Sequence, residues 1–441
     1  MNFAFAGRAF WTVPTMLLAG CATGRAAYDA RIESDFSVVA DDHAVANDER
    51  SLHTPELDRA AFVRAVLDRN RSLEAARQAW RAAVGRVRQS GVLDDPMVSV
   101  EVAPLSIASS SARFGVAASV SQRLPWPGKL ALDESVAHAE ADAAKSDFDM
   151  ARRDLALTAT LLYEQFFIAA RSLEINAHHV ALMRSMQSAA TIQFESGRGS
   201  MQDPLQAEFE LAHMEHDAVT LATQRDVATA QMNELLHRDP DLPLPPPSKD
   251  LPTSTALGSR DEALLRPDVL AVRQRARAAQ ARAERAARES FPDVTVSTSY
   301  NSMWDMPEHR WMVGLSFNLP IQTGRRSGAV DEANALRAQF EAETGRAQDM
   351  ARTEASVAIK RLDESSHVIH FYEERLVPIA RDEVDAALSA FKASQTPFNA
   401  VIDAEKNLRG VELDEQMARA EYDRRRAELD RALGRVAGTE P

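Results

Sequence analysis

Phe194 to Glu208 reads Phe-Glu-Ser-Gly-Arg-Gly-Ser-Met-Gln-Asp-Pro-Leu-Gln-Ala-Glu, and Phe391 to Glu405 reads Phe-Lys-Ala-Ser-Gln-Thr-Pro-Phe-Asn-Ala-Val-Ile-Asp-Ala-Glu. Phe391 minus Phe194 and Glu405 minus Glu208 both give 197, and the same shift carries Leu236 onto Leu433 and Arg69 onto Arg266. The chain is a duplication of a unit of about 200 residues, far longer than the roughly 20–50 of a solenoid repeat. Each copy has to be read as half of an architecture.

Within each copy the order is helix, strand, strand, very long helix, tip, long helix. The first copy spans 56–238, with strands near 97–103 and 114–124 and long helices near 129–196 and 203–238. The second spans 259–436, with strands near 293–301 and 311–319 and long helices near 327–394 and 398–434, leaving a tail at 437–441. Between them, 239–258 carries prolines at 240, 243, 245, 246, 247 and 252, a run that is extended and crosses outside the helices.

The strand segments alternate with period two. Val98, Val100 and Val102 oppose Ser99 and Glu101; Phe114, Val116, Ala118 and Val120 oppose Gly115, Ala117, Ser119 and Ser121. In the second copy Val294, Val296 and Tyr300 oppose Thr295, Ser297 and Ser299, and Trp311, Val313, Leu315, Phe317 and Leu319 oppose Met312, Gly314, Ser316 and Asn318. Such strands suit either a half-buried soluble sheet or a membrane barrel with an aqueous lumen. Four strands do not close, and an open edge in lipid leaves backbone groups unpaired, so a barrel must be shared between chains. Two chains would give eight strands and a plugged interior; three give twelve and an open bore.

From Lys129 to Ser196 there is neither glycine nor proline, enough for about 100 Å of helix. Leu205 to Arg238 is equally uninterrupted and returns after the tip. Apolar positions seven apart, such as Leu155, Leu162 and Ala169, or Val411 and Ala418, or Tyr422 and Leu429, suit coiled-coil packing. In the second copy Gly345 and Pro378 interrupt the long helix, and Pro378 is expected to kink or break it.

A net charge of −14 excludes the basic stripe that nucleic-acid binding needs, and aromatics at 6% exclude a thick aromatic core. Arginines that alternate with acids, as in Arg273 to Arg288, read as solvated helix faces. The single cysteine, Cys21, closes Leu18-Ala19-Gly20-Cys21 after the apolar run from Phe10 to Ala19. That run fits a signal peptide over 1–20, and with one cysteine no internal disulfide forms. Residues 21–55 are polar and aperiodic and read as a tether.

Leu-Ala-Gly-Cys resembles a bacterial lipobox, which makes Cys21 the acylated first residue of the mature chain, with Ala22 favouring the outer membrane. The duplicated layout, this lipobox, Gln122-Arg123-Leu124-Pro125-Trp126-Pro127-Gly128-Lys129, its counterpart Asn318 to Arg325, and Val401-Ile402-Asp403-Ala404-Glu405 together resemble the TolC-type outer-membrane efflux factors over about 56–436. The resemblance implies a mainly helical homotrimer with a small β part: a twelve-stranded barrel in the outer membrane, four strands per chain, continued by a helical coiled-coil tunnel in the periplasm. It also implies a passive duct fed by a periplasmic adaptor and an inner-membrane pump of the RND type, with no cofactor and no enzyme chemistry. Pro-Trp-Pro-Gly-Lys leans toward the heavy-metal branch.

By the same resemblance the acids after the second tip line the entrance. Asp403 matches one, while Ala400 stands where a second is common, and Ser394 and Thr396 replace the usual glycine and arginine. The first tip, with Gly197, Arg198 and Asp203, then carries more of the closure; Gln206 is the repeat equivalent of Asp403. Adaptor docking falls on Gly197, Arg198, Gly199, Ser394, Thr396 and Pro397. The plain alternative for Asp403 is a first-turn acid favoured by the helix dipole. His213/His216 and His367/His370 have helical zinc spacing without a third ligand and read as solvated. Gly-x-Ser-x-Gly and phosphate-loop signatures are absent from the sequence. The competing readings are a structural coiled-coil lipoprotein that moves nothing, and the exit duct of a type I protein secretion system.

Overall fold

The computed structural model describes residues 28, 30–34, 55–107, 114–249, 251 and 259–438. The expected signal peptide over 1–20, Cys21 and most of the expected tether over 21–55 lie outside the described residues. The first copy runs through α1 (Arg59–Arg69), α2 (Arg71–Gln89), β1 (Met97–Val102), β2 (Val116–Leu124), α3 (Lys129–Glu195) and α4 (Gln202–Leu235). The second runs through a 3-10 turn at Arg260–Leu265, then α5 (Pro267–Ala287), β3 (Val294–Asn301), β4 (Trp311–Phe317) and α6 (Thr323–Phe371). A π turn at Tyr372–Leu376 leads to α7 (Val377–Lys392), and α8 (Phe398–Ala432) returns.

The duplication extends to backbone detail. Among described non-glycine residues only His237 and Ser394 have positive φ, at 52° and 57°. Their equivalents at a shift of 197 are Gly434 and Gly197, at 79° and 73°. Both turns need the left-handed region, and one copy meets it with glycine while the other bears the Cβ strain. Ser394→Gly is expected to stabilise the fold by about 0.5–1 kcal/mol, read as a higher denaturation midpoint.

Three buried apolar clusters hold the helices together, and none of the three contains a strand residue. The largest joins α1, α2, the middle of α3 and the end of α4 through Phe62, Val66, Trp80, Phe148, Tyr163, Phe167 and Met232. α2 enters it by one stripe, Leu73, Trp80, Ala83, Val84 and Val87, the spacing of a single helix face. The second cluster packs the tip-side turns of α3, α4, α7 and α8, and the third joins α5, α6 and α8 largely through alanines.

Three expectations need correction. The seam of α3 runs through Ala156, Ala159, Tyr163 and Phe166, while Leu155 and Leu162 flank it half-buried. Seven-residue spacing fixes a period but leaves the phase open, and the small alanines allow the closer contact. The interruption falls before Pro378 and not at it: α6 ends at Phe371, the π turn Tyr372–Leu376 follows, and the proline sits in the first turn of α7. Part of the tether is ordered, because Tyr28 and Ile32 lie one turn apart and both reach the main cluster, with Arg31 donating to Asp142 at 2.8 Å.

The proline run is extended, as its composition requires. Leu57 N–H donates to the Pro246 carbonyl at 2.7 Å, Ser248 N–H to the Leu57 carbonyl at 3.1 Å, and Tyr163 hydroxyl to that same carbonyl at 2.7 Å. With α3 and α4 it walls a groove of about 740 Å³ lined by Phe166, Leu173, Arg225 and Pro243.

Candidate functional site: an apolar strand face and two helical tips

The four strands form one antiparallel sheet in chain order. Val98 faces Val120, Val120 faces Thr298, and Thr298 faces Val313; Val100, Ala118, Tyr300 and Trp311 make the next row. The register therefore gathers the alternating apolar residues of all four strands onto one face. Nothing described covers it: Val98 is 70% exposed and Val313 80% exposed. The other face is lined by Ser99, Ser119, Ser297, Ser299 and Ser316, and the Ser99 and Ser119 hydroxyls bond at 2.7 Å. β1 and β4 are open edges. An exposed apolar face of this extent marks a membrane or protein contact.

At the base of the sheet, where strands meet helices, Pro125-Trp126-Pro127-Gly128-Lys129 locks the two copies together. Lys129, 1% exposed, donates to Asp293 Oδ1 at 2.8 Å and to the Phe291 carbonyl at 3.2 Å. Asp293 also accepts from Trp126 N–H at 2.9 Å and from Arg123 at 2.7 Å. Burial alone would raise the Asp293 carboxyl, but the bonds from Lys129, Arg123 and Trp126 outweigh it and hold the group down at about 2. Gly128 has φ 86° and accepts from Arg288 at 2.9 Å; a Cβ there would collide with that guanidinium. Sequence reading valued this motif for its family resemblance and missed its role as a joint, because Asp293 is 164 residues from Lys129.

Each tip is a helix end closed by its own backbone. At the first, Arg198 and Gly199 N–H groups donate to the Gln193 carbonyl at 2.9 and 3.1 Å, and Asp203 accepts from Ser200 N–H at 3.1 Å. At the second, Gln395 N–H donates to the Ala390 carbonyl at 2.9 Å, Pro397 stands extended just before α8, and the Phe391 and Phe398 rings pack at 5.1 Å. Gln193 bridges the tips by donating to the Phe391 carbonyl at 3.3 Å. Asp403 is exposed with no partner among the described residues, whereas the Gln206 side-chain oxygen and the Thr396 hydroxyl are enclosed without one. Asp203 is therefore tied to the backbone of its own tip, and Asp403 is the freer acid.

His213 packs edge-on against Phe209 at 4.7 Å, and His367 and His370 each bond a carbonyl one turn back at 2.8 Å. Among the described residues no three metal-ligating side chains converge.

Two buried charged groups escaped sequence reading. His179 on α3 sits between Glu405 and Glu412 of α8. It follows His178 directly and its repeat equivalent is Leu376, so neither metal-ligand spacing nor duplication signals it. Deeper in the first cluster Arg59 of α1 pairs with Asp423 of α8, and Glu164 of α3 is buried beside them with one oxygen unpartnered. Burial first, then the Asp423 charge, push the Glu164 carboxyl up to about 10. An acid with a raised folded value takes up a proton on folding, so its cost is nil below about 4.5 and grows as pH climbs toward 10. Glu164→Gln is expected to add roughly 3 kcal/mol of stability near pH 7 and little near pH 5, as denaturation curves at the two values will show.

Residues 260–435 match the sequence profile described as outer membrane efflux protein. The likeness to that family covers the second copy alone, less than half of the chain. Solved structures agree on the fold of the whole chain. CusC, described in terms of folding and transmembrane channel formation, superposes with TM-score 0.74 at 16% identity, covering 87% of this chain and 94% of that one. The outer membrane protein VceC of Vibrio cholerae gives 0.71 at 18%, covering 86% and 96%; the open MtrE outer membrane channel of Neisseria gonorrhoeae gives 0.69 at 18%, covering 87% and 90%. No curated protein sequence matches the chain.

Proposed function

We propose that this chain is an outer-membrane efflux duct in which three copies pair β4 of one chain with β1 of the next, closing a twelve-stranded barrel whose apolar face meets outer-membrane lipid. The observation that carries the proposal is the uncovered valine face beside two open strand edges, since an unpaired edge in lipid is untenable. The exposed first half of α6 supports it, because a long helix without a partner face is unstable in water and a neighbouring chain supplies one. Among the described residues no helix is long and apolar enough to cross a membrane. The uncovered face also has no use in a purely structural rod.

Cys21 is lipidated in this proposal and tethers the chain to the outer membrane, while the helices form a periplasmic tunnel. Asp403 lines the entrance with Asp203 and Gln206 behind it, and an adaptor docks on Gly197, Arg198, Gly199, Ser394, Thr396 and Pro397. The tunnel takes its cargo from an inner-membrane RND-type pump. Heavy-metal cations are the cargo that Pro125 to Lys129 resembles, although those residues serve a structural joint. Planar-bilayer recordings of the detergent-purified protein test the duct: discrete conductance steps with cation preference reduced in Asp403→Ala support it. A monomer stable without detergent and silent in bilayers refutes it.

A further inference from the structure

We propose that His179 is the pin of a pH-dependent clamp that holds α7 and α8 against α3 near the entrance, and that loss of its second ring proton frees this helix pair to swing. The proposal rests on the reading of the chain as a duct. His179 Nδ1 lies 2.8 Å from Glu405 Oε1 and Nε2 3.1 Å from Glu412 Oε2. A carboxylate only accepts, and a neutral imidazole has a single N–H donor. Both contacts are hydrogen bonds only when the ring carries two protons.

The surroundings leave the ring as the switchable charge. Glu405 is fully buried and its second oxygen is unpartnered, so the imidazolium balances it. Glu412 also accepts from Arg381 of α7 at 2.9 Å, which extends the clamp from α3 through α8 to α7. From α4, Glu210 pairs with Lys406 at 2.6 Å and Asp217 with Arg409 at 3.2 Å, and Arg409 also reaches Asn176 of α3 at 3.4 Å. His178 of α3 meets the His179 ring edge-on at 5.7 Å. With Arg381 and His179 positive and Glu405 and Glu412 negative the cluster sums to zero. A neutral ring leaves one buried negative charge without a counterion, which drives the helices apart.

A hinge lies where this clamp would act. The π turn at Tyr372–Leu376 directly precedes α7, and such turns gather at functional breaks in helices. Burial of the ring opposes its charge, yet the bonds to Glu405 and Glu412 prevail and push His179 up to about 8. A raised folded value means that the stabilisation is complete below about 6.5 and is lost as pH rises through about 8.

The test uses the full chain in planar bilayers, titrated from about pH 6 to about pH 9, with a parallel spin-label distance between Arg184 on α3 and Asp382 on α7. Conductance and distance are expected to rise together with a midpoint near 8. Glu412→Gln, at a partly exposed site that tolerates the change, is expected to lower that midpoint by about one unit. Steady conductance with unmoved labels, or an unshifted midpoint in Glu412→Gln, overturns the clamp and leaves the duct standing. Labels that move in a chain that never conducts support the clamp and refute the duct.

Discussion

Asp293→Ala costs the protein about 2–4 kcal/mol, because it leaves the Lys129 ammonium, 1% exposed, with only the Phe291 carbonyl at 3.2 Å and the half-exposed Glu289 carboxylate at 3.8 Å. Arg123 is half exposed and returns to water without penalty, so the loss belongs to the lysine. Melting of the helical signal is the measurement, and a loss under about 1 kcal/mol would contradict the joint. Lys129→Met combined with Asp293→Asn is expected to recover most of the loss, since it removes the buried charge and keeps an acceptor for Trp126 N–H. Acid narrows the gap between wild type and Asp293→Ala. A depressed carboxyl contributes in full above about 3.8, and the contribution fades as pH falls through about 2.

Val313→Arg attacks the centre of the uncovered face. An arginine at mid-membrane on the lipid side costs about 2–4 kcal/mol per chain, and three chains in one barrel triple that figure. The variant is expected to stay out of lipid vesicles that wild type enters, while Ser316→Arg, on the opposite face of the same strand, inserts normally. Equal insertion of both variants would show that the valine face does not meet lipid. A soluble rod would instead tolerate Val313→Arg and lose nothing.

Much of this was legible in the residues. The shift of 197 places the strands and the later helices of the first copy on partners in the second, with only a 3-10 turn opposite α1, and the strand alternation gives each strand one apolar face before any sheet exists. Period-two patterning is local, so it survives without knowledge of partners. The tips were legible for the same reason, as helix breaks around Gly197 and Ser394. The phase of the α3 seam was not, since alanine fits seam and flank alike. The π turn was not either: Pro378 announces a disturbance but not how neighbouring turns absorb it.

The sequence alone determined the periodicities: a doubled unit, strands with one apolar face, helices too long to stand without neighbours. These follow from each residue's geometry along its own backbone. Only the tertiary structure decided which charges meet. Lys129 with Asp293, His179 with Glu405 and Arg59 with Asp423 each join the first copy to the second across 164, 226 and 364 residues. Such pairs break the repeat, and their energy depends on burial and on the whole set of charges around them. No local pattern encodes either quantity.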